Sequence, residues 1–444
     1  MSADTSKMHL VVLALAAGNH SAGWRMPGAL AGSQNFTLLK HLIETAERGK
    51  FDLFFLADAV NSSPSMPPSM MLRLEPITLL TALAGCTKHI GLAATASTTY
   101  SEPYNLARLF ASLDHLSGGR AAWNVVAGAF PEAAGNFGRE AHPSLDERYG
   151  RAAEFIEVMK GLWDSWEEDS FVMDQASGRY VDPAKMHPLN HRGEYFSVTG
   201  PLNITRPPQG YPVIMQAGGS EPGRDLAAAT GEVIYSVAPT LQVGKEFRDD
   251  IRRRAEKFGR NPDHIKIMAG VCAIVGETEA DARKKLAALG DLVDSATALK
   301  TLSDKLGHDL SGYDLDSPMP DLPPGGPMQG HAKAILAMAR EKGLTIREVR
   351  DATTATSHRL LVGTPEQIAD GMEEWLEAGV GDGYAVLPPW FPGPFDDFVD
   401  EVVPILQKRG LFRTEYTGKT LRDHLGLPWP EHPARLAAQL SAAE

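Results

Sequence analysis

The chain has only two cysteines in 444 residues, Cys86 and Cys272. A disulfide framework or a cysteine metal centre therefore does not fit, and a reducing, cytoplasmic setting does. Basic excess is also missing: 43 Lys+Arg stand against 56 Asp+Glu, a formal net charge of −13. That balance argues against nucleic acid or an anionic membrane surface as partner. Long apolar runs are absent. The run 10–17 breaks at Gly18-Asn19-His20, and no charged segment with a cleavage signature precedes it, so it reads as a first strand and not as a membrane span or signal. The glycine-rich dinucleotide fingerprint, the P-loop and the Gly-x-Ser-x-Gly elbow are all lacking. Metal chemistry has no support. His187 and His191 are four apart, but Pro188 between them breaks the helix that would put both on one face.

What is present is alternation. Short β-rich runs at 10–15, 51–56, 90–95, 121–126, 212–216, 232–237, 265–275 and 384–387 are separated by helical patterns at 35–48, 75–88, 104–116, 145–166, 224–230, 241–258 and 395–407. Continuous apolar runs such as 51–56 mark strands buried on both faces of a parallel sheet. The series predicts an α/β fold, a TIM (β/α)8 barrel, with a doubly wound open sheet as the second reading. Two stretches break the rhythm. Residues 174–202 are polar and turn-rich, with Arg192-Gly193-Glu194-Tyr195-Phe196 resembling a strand. Residues 292–355 carry Pro318, Pro320, Pro323, Pro324, Gly325, Gly326 and Pro327, which regular structure does not accommodate. The length thus reads as one barrel over 1–444 with insertions at 174–202 and 292–355 and a C-terminal extension at 411–444.

Active sites of such barrels lie at the C-terminal ends of the strands. The residues there are His20, Asp58, Thr95, Ser97, Asn124, Gly218, Gly219 and Ser220. For any one position a polar loop residue is the plainer account; the recurrence over five successive strands favours a site. After Gln216-Ala217, two glycines let a ligand approach the backbone, the following helix N-terminus favours an anion, and Ser220 offers a hydroxyl to a phosphate. Met66, Met70 and Met71 lie in a Pro/Ser-rich loop that either lines an apolar pocket or only covers the core.

Several motifs then converge. They include Gly18-Asn19-His20 with Trp24-Arg25, Phe54-Phe55-Leu56-Ala57-Asp58, Gly118-Gly119-Arg120 with Trp123-Asn124-Val125-Val126, Glu147-Arg148-Tyr149, Gln216-Ala217-Gly218 and Phe412-Arg413-Thr414-Glu415-Tyr416. With these the sequence resembles the bacterial luciferase-like flavin monooxygenases, in the branch holding nitrilotriacetate monooxygenase, dibenzothiophene-sulfone monooxygenase and pristinamycin synthase. The resemblance implies a two-component FMNH2-dependent monooxygenase. A separate NAD(P)H:flavin reductase would supply reduced FMN, and O2, activated as a flavin hydroperoxide, would oxygenate a small organic substrate. It further implies Ala57 and Asp58 beside the flavin, Thr95 and Ser97 near its ring, and Asn124 at its polar end. Tyr149, Gly218, Gly219 and Ser220 would lie at its phosphate, with His20 and His331 around the substrate. A homodimer or homotetramer is implied as well. One departure stands out: relatives read Trp-Asn-Val-Val-Thr-Ser where this chain reads Trp123-Asn124-Val125-Val126-Ala127-Gly128, losing two hydroxyls. A deazaflavin-dependent oxidoreductase and a flavin-binding protein without catalysis are the alternatives.

Overall fold

Eight short apolar runs pair edge to edge into a closed ring. In chain order they are β1 (His9–Leu13), β2 (Leu53–Leu56), β3 (Gly91–Ser97), β4 (Ala121–Val126), β5 (Val213–Gln216), β6 (Val233–Ser236), β7 (Lys266–Val275) and β8 (Gly383–Val386). All pairings in the ring are parallel, and β8 closes on β1 with Gly383 opposite His9 and Val386 opposite Val12. That closure decides for the TIM barrel over the open sheet. The computed structural model describes residues 8–443 except 16, 31–33, 64, 65, 67, 327 and 328. Residues 1–7, part of the stretch read for a signal, and Pro327 of the Pro-rich run lie outside the described residues.

The two-residue period of the strands sorts their side chains. Val11, Leu13, Leu53, Phe55, Ala93, Ala122, Val213 and Met215 fill the barrel. Leu10, Val12, Phe54, Leu92, Ala94 and Trp123 face outward into the helical layer. The C-terminal extension plugs the N-terminal end of the barrel. Leu421, Leu425 and Leu427 join the interior cluster, and buried Arg422 holds the carbonyls of Gln209 and Tyr211 and pairs with Glu232 at 2.7 Å. Arg413 pairs with Asp52, which is fully buried. The opposite end, where the strand C-termini open, is thereby left for chemistry.

Four local expectations change. The segment 192–196 is not a strand of its own: Arg192 ends the strand His191–Arg192, and 193–196 turn the chain into Ser197–Val198 as a small antiparallel hairpin, closed by Gly193 N–H donating to the Phe196 carbonyl. The insertion 292–355 is largely helical: Ser295–Leu306, Gln329–Lys342 and Ile346–Ala355 flank the Pro-rich loop and share a core of Leu302, Leu306, Ile335, Ala339, Ile346 and Val349. A further parallel strand, Arg359–Gly363, pairs with the C-terminal half of β7 outside the ring. Finally, the helix expected over 395–407 contains a π-helical turn, Phe398–Val402, just before Pro404. Pro404 has no N–H to give the previous turn and its ring crowds that turn's carbonyl, and the widened turn relieves both.

Candidate functional site

A cavity of about 820 Å³ opens at the C-terminal ends of the strands. Its wall includes Asp58, Thr95, Ser97, Tyr149, Gly218, Gly219, Ser220 and His331 from the sequence-derived set. Three members of that set stand elsewhere. Asn124 is buried one layer back, where its side-chain amide donates to Thr95 Oγ1 at 2.8 Å, and Thr95 Oγ1 donates to the Leu56 carbonyl at 2.8 Å. Its Oδ1 has no protein partner, an open acceptor in a place where buried polar atoms are normally satisfied. Ala57 lines a small separate recess with Leu39, Ser69 and Arg73. His20 is buried off the cavity wall, with Nδ1 accepting the Ala22 N–H at 3.1 Å. Burial, and then the Lys305 charge, depress its pKa to about 4, so its imidazole is neutral at pH 7.

The glycine turn after β5 is built as an oxygen-binding cradle. Ser220 caps the helix Glu221–Thr230, its Oγ accepting the Gly223 N–H at 3.2 Å. The same hydroxyl donates to Tyr149 Oη at 3.2 Å, so the Tyr149 O–H proton remains for a ligand. A Cβ on Gly218 would meet Gly223 Cα at 3.0 Å and Tyr149 Oη at 3.3 Å, which is why the turn has no side chain there. Arg224 reaches back to the Gly219 carbonyl at 3.2 Å and pairs with Asp250 at 2.9 Å, fixing the turn. The insertion meets this turn directly: a Cβ on Gly330 would lie 2.6 Å from Gly219 Cα. The helix Gln329–Lys342 therefore starts over the cradle, with His331 in its first turn.

Opposite polar groups line the rest. Asp58 pairs with Arg73 at 3.3 Å, yet burial raises its carboxyl to about 6, with Arg73 opposing. His142, Tyr100 and Arg148 were not legible in the sequence as cavity residues, because His142 and Tyr100 sit in loops and Arg148 lies in the first turn of its helix, ahead of the buried apolar face that begins at Ala152. Tyr100 Oη lies 2.6 Å from His142 Nδ1, its ring stacks on Phe137, and His142 Nε2 has no partner. Desolvation first, then Arg148, lowers the His142 pKa. Gly128 gives the Ala127-Gly128 departure a backbone reason. Its φ is +73°, a left-handed conformation a side chain strains, and its carbonyl accepts from Arg148.

The two histidines considered for metal binding point to different carboxylates, His187 to Glu167 and His191 to Glu154, each at 2.9 Å. Among the methionines of the loop, Met70 lines the cavity.

Comparison with known proteins shows the family. A family model described as luciferase-like monooxygenase matches residues 12–382. The chain is similar to N-acetyl-S-(2-succino)cysteine monooxygenase of Bacillus subtilis (strain 168), 48% identical over 435 residues that cover 97% of this chain and 99% of the relative. It is also similar to nitrilotriacetate monooxygenase component A of Aminobacter aminovorans, 46% identical over 442 residues, 96% of this chain and 98% of the relative. Among solved structures, a riboflavin lyase crystallised with modified FMN and riboflavin superposes with a TM-score of 0.84 at 33% identity, covering 96% of this chain and 97% of that one.

Proposed function

Since the chain belongs to the luciferase-like monooxygenase family, we propose that it is the oxygenase component of a two-component system, binding FMNH2 made by a separate flavin reductase and inserting one oxygen atom of O2 into a small organic substrate. The observation that carries this reading is an oxygen-binding cradle at Tyr149, Gly218 and Ser220 in the cavity wall, with an open buried acceptor, Asn124 Oδ1, one layer behind the wall at Thr95. A flavin mononucleotide needs both: a dianionic phosphate to fill the first, and ring N–H groups to reach toward the second. When bound, reduced FMN supplies the electrons that activate O2.

The chain's own residues do the rest. Ser220 and Tyr149 hold the phosphate, aided by the N-terminus of Glu221–Thr230. Thr95 and Ser97 face the ring, with Asn124 reached past Thr95, and Asp58 borders it just after β2, while Ala57 packs in the recess behind it. His331, neutral by burial with a pKa of about 4, can accept a proton or offer its N–H to oxygen, but carries no standing charge that would hold water in the pocket. His20 supports the loop after β1 at the same end. The insertion helix Gln329–Lys342 roofs the cavity and limits solvent entry.

The relative's designation as component A supports a partner that makes reduced flavin, reached by diffusion. Assembly as a homodimer or homotetramer, in a cytoplasmic setting, completes the proposal, and exposed Trp24, Leu30 and Phe36 provide apolar surface for the first. The test is anaerobic titration with reduced FMN and reduced riboflavin. Two or three charge-assisted phosphate bonds predict an FMN preference of about a hundredfold or more. Equal affinities would overturn the phosphate cradle.

A further inference from the structure

The side chains of β6 alternate: Val233 and Tyr235 point into the barrel, and Ile234 packs outward against Phe247 and Ile251. Tyr235 is the last inward residue of the strand. Its ring stands edge-on to Phe55, 6.4 Å between centroids, and lines the cavity. Its Oη lies 2.8 Å from Nε2 of His358, the residue ahead of the strand Arg359–Gly363. His358 is buried, and Gly270 of β7 makes the slot for its ring, since a Cβ there would lie 2.2 Å from Nδ1. Cavity-lining His331 stands edge-on to the same ring, 5.7 Å between centroids at 85°. His358 Nδ1 has no partner.

That bare nitrogen fixes the direction of the bond. Burial first, then His331 and Lys305, push the His358 pKa well below its usual value, so the ring is neutral and carries one proton. With the proton on Nδ1, the Tyr235 hydroxyl would donate to Nε2 and an N–H would be buried without an acceptor. With the proton on Nε2, the imidazole donates to Tyr235 Oη and only a lone pair is left bare. Buried N–H groups without acceptors are rare, which favours the second arrangement. In it Tyr235 Oη accepts, and its own proton has no partner among the described residues. Burial raises the phenol pKa, so that proton stays on the oxygen. In the ring of strands β6 is four places from β2 and three from β3, so Tyr235 stands across the cavity from Asp58 and Thr95, on the side left for substrate.

We propose that Tyr235, positioned by His358, is a specificity-determining residue: its O–H donates into the cavity to an oxygen atom of the substrate, so the site selects molecules with a hydrogen-bond acceptor over hydrocarbons of the same shape. The oxygenase reading is needed only to call that ligand a substrate; the donor is made of protein groups alone.

Two measurements test it. ¹⁵N-histidine NMR of the flavin-free protein at pH 7, with the His358 signals assigned by their loss in His358→Gln, reads the tautomer. A proton on Nε2 is expected, and a neutral ring with its proton on Nδ1 would overturn the proposal. Binding of cyclohexanone and of methylenecyclohexane, its hydrocarbon counterpart, is measured by equilibrium dialysis on flavin-free protein and on protein with oxidised FMN. An otherwise unpaired buried donor predicts that the wild-type preference for cyclohexanone falls about ten- to a hundredfold in Tyr235→Phe. His358→Gln, whose amide N–H can still reach Oη, should keep most of the preference, His358→Phe should lose part of it, and FMN affinity should be unchanged in Tyr235→Phe. Absence of saturable cyclohexanone binding, or a preference equal to wild type in Tyr235→Phe or in His358→Phe, would overturn the proposal. So would a loss of FMN affinity in Tyr235→Phe, which would give the donor to the flavin. A lower melting temperature with unaltered preference would reduce the pair to a tie between β6 and the strand Arg359–Gly363. If the tautomer and the preference hold while FMN does not bind at all, the flavin reading fails and the donor stands.

Discussion

Ser220 has two duties in this structure, and they can be separated by substitution. Its Oγ caps the helix Glu221–Thr230 through the Gly223 N–H at 3.2 Å. In the proposed complex the same group contacts the phosphate of FMN. Ser220→Ala removes both. Loss of an N-cap costs about 0.5–2 kcal/mol of stability. Loss of a hydrogen bond to a charged phosphate costs about 1.5–3 kcal/mol of binding, or about ten- to a hundredfold in affinity. Ser220→Asp separates the two effects, because aspartate is as good an N-cap as serine but sets a negative charge against the phosphate. Thermal melts without flavin should therefore fall for Ser220→Ala and stay near wild type for Ser220→Asp. Reduced-FMN titrations should rank wild type above Ser220→Ala, and Ser220→Ala above Ser220→Asp. If Ser220→Asp binds FMN as well as the wild type, the phosphate does not sit at this turn and the reasoning is wrong.

Two further predictions concern the same end of the barrel and the chain's response to acid. Gly330→Ala would press a methyl group against Gly219, where only 2.6 Å is available to it, so FMN affinity should drop while urea unfolding of the barrel changes little; unaltered FMN affinity would uncouple the insertion from the cradle. For pH, His20, His331 and His424 have folded pKa values of about 4, below the usual 6.5. Their stabilising contribution is present above pH 6.5 and is lost as pH falls toward 4, about 3 kcal/mol each over the full window. Asp58 and Asp114, raised to about 6, act oppositely, stabilising at low pH and losing that contribution as pH rises through 6. The histidines outnumber them, so melts should show lower stability at pH 5 than at pH 7, and equal or higher stability at pH 5 would contradict the burial argument.

The barrel strands were legible because each is a continuous apolar run buried on both faces, as at Leu53–Leu56. The strand Arg359–Gly363 was not, because it lies outside the ring, half-covered, and its apolar run, Leu360-Leu361-Val362, is short. The helices of the insertion were masked by the prolines between them, although Thr345 with Glu348 forms a capping box that marks the start of Ile346–Ala355. The family motifs divide between the two ends of the barrel. Glu147-Arg148-Tyr149 and Gln216-Ala217-Gly218 lead to the cavity. Arg120 instead holds the Ser117 and Ile90 carbonyls, and Arg413 holds Asp52, so Gly118-Gly119-Arg120 and the motif at 412–416 maintain the closed end. Sequence position at a strand end located Asp58 and Thr95 on the cavity wall, but it could not tell a wall residue from one a layer deeper, such as Asn124. His142 comes from a loop whose placement depends on long-range packing, and no local period announces it.

The central claim is that this cavity uses reduced FMN to put one atom of O2 into a substrate. Purified protein, a flavin reductase, FMN, NADH and a panel of small organic molecules under ¹⁸O2 test it most directly by mass spectrometry of the products. The account predicts a product carrying one ¹⁸O atom, formed only when FMN is reduced and abolished without oxygen. Product that forms anaerobically, or that carries oxygen from water alone, would contradict it and turn the cavity toward hydride transfer.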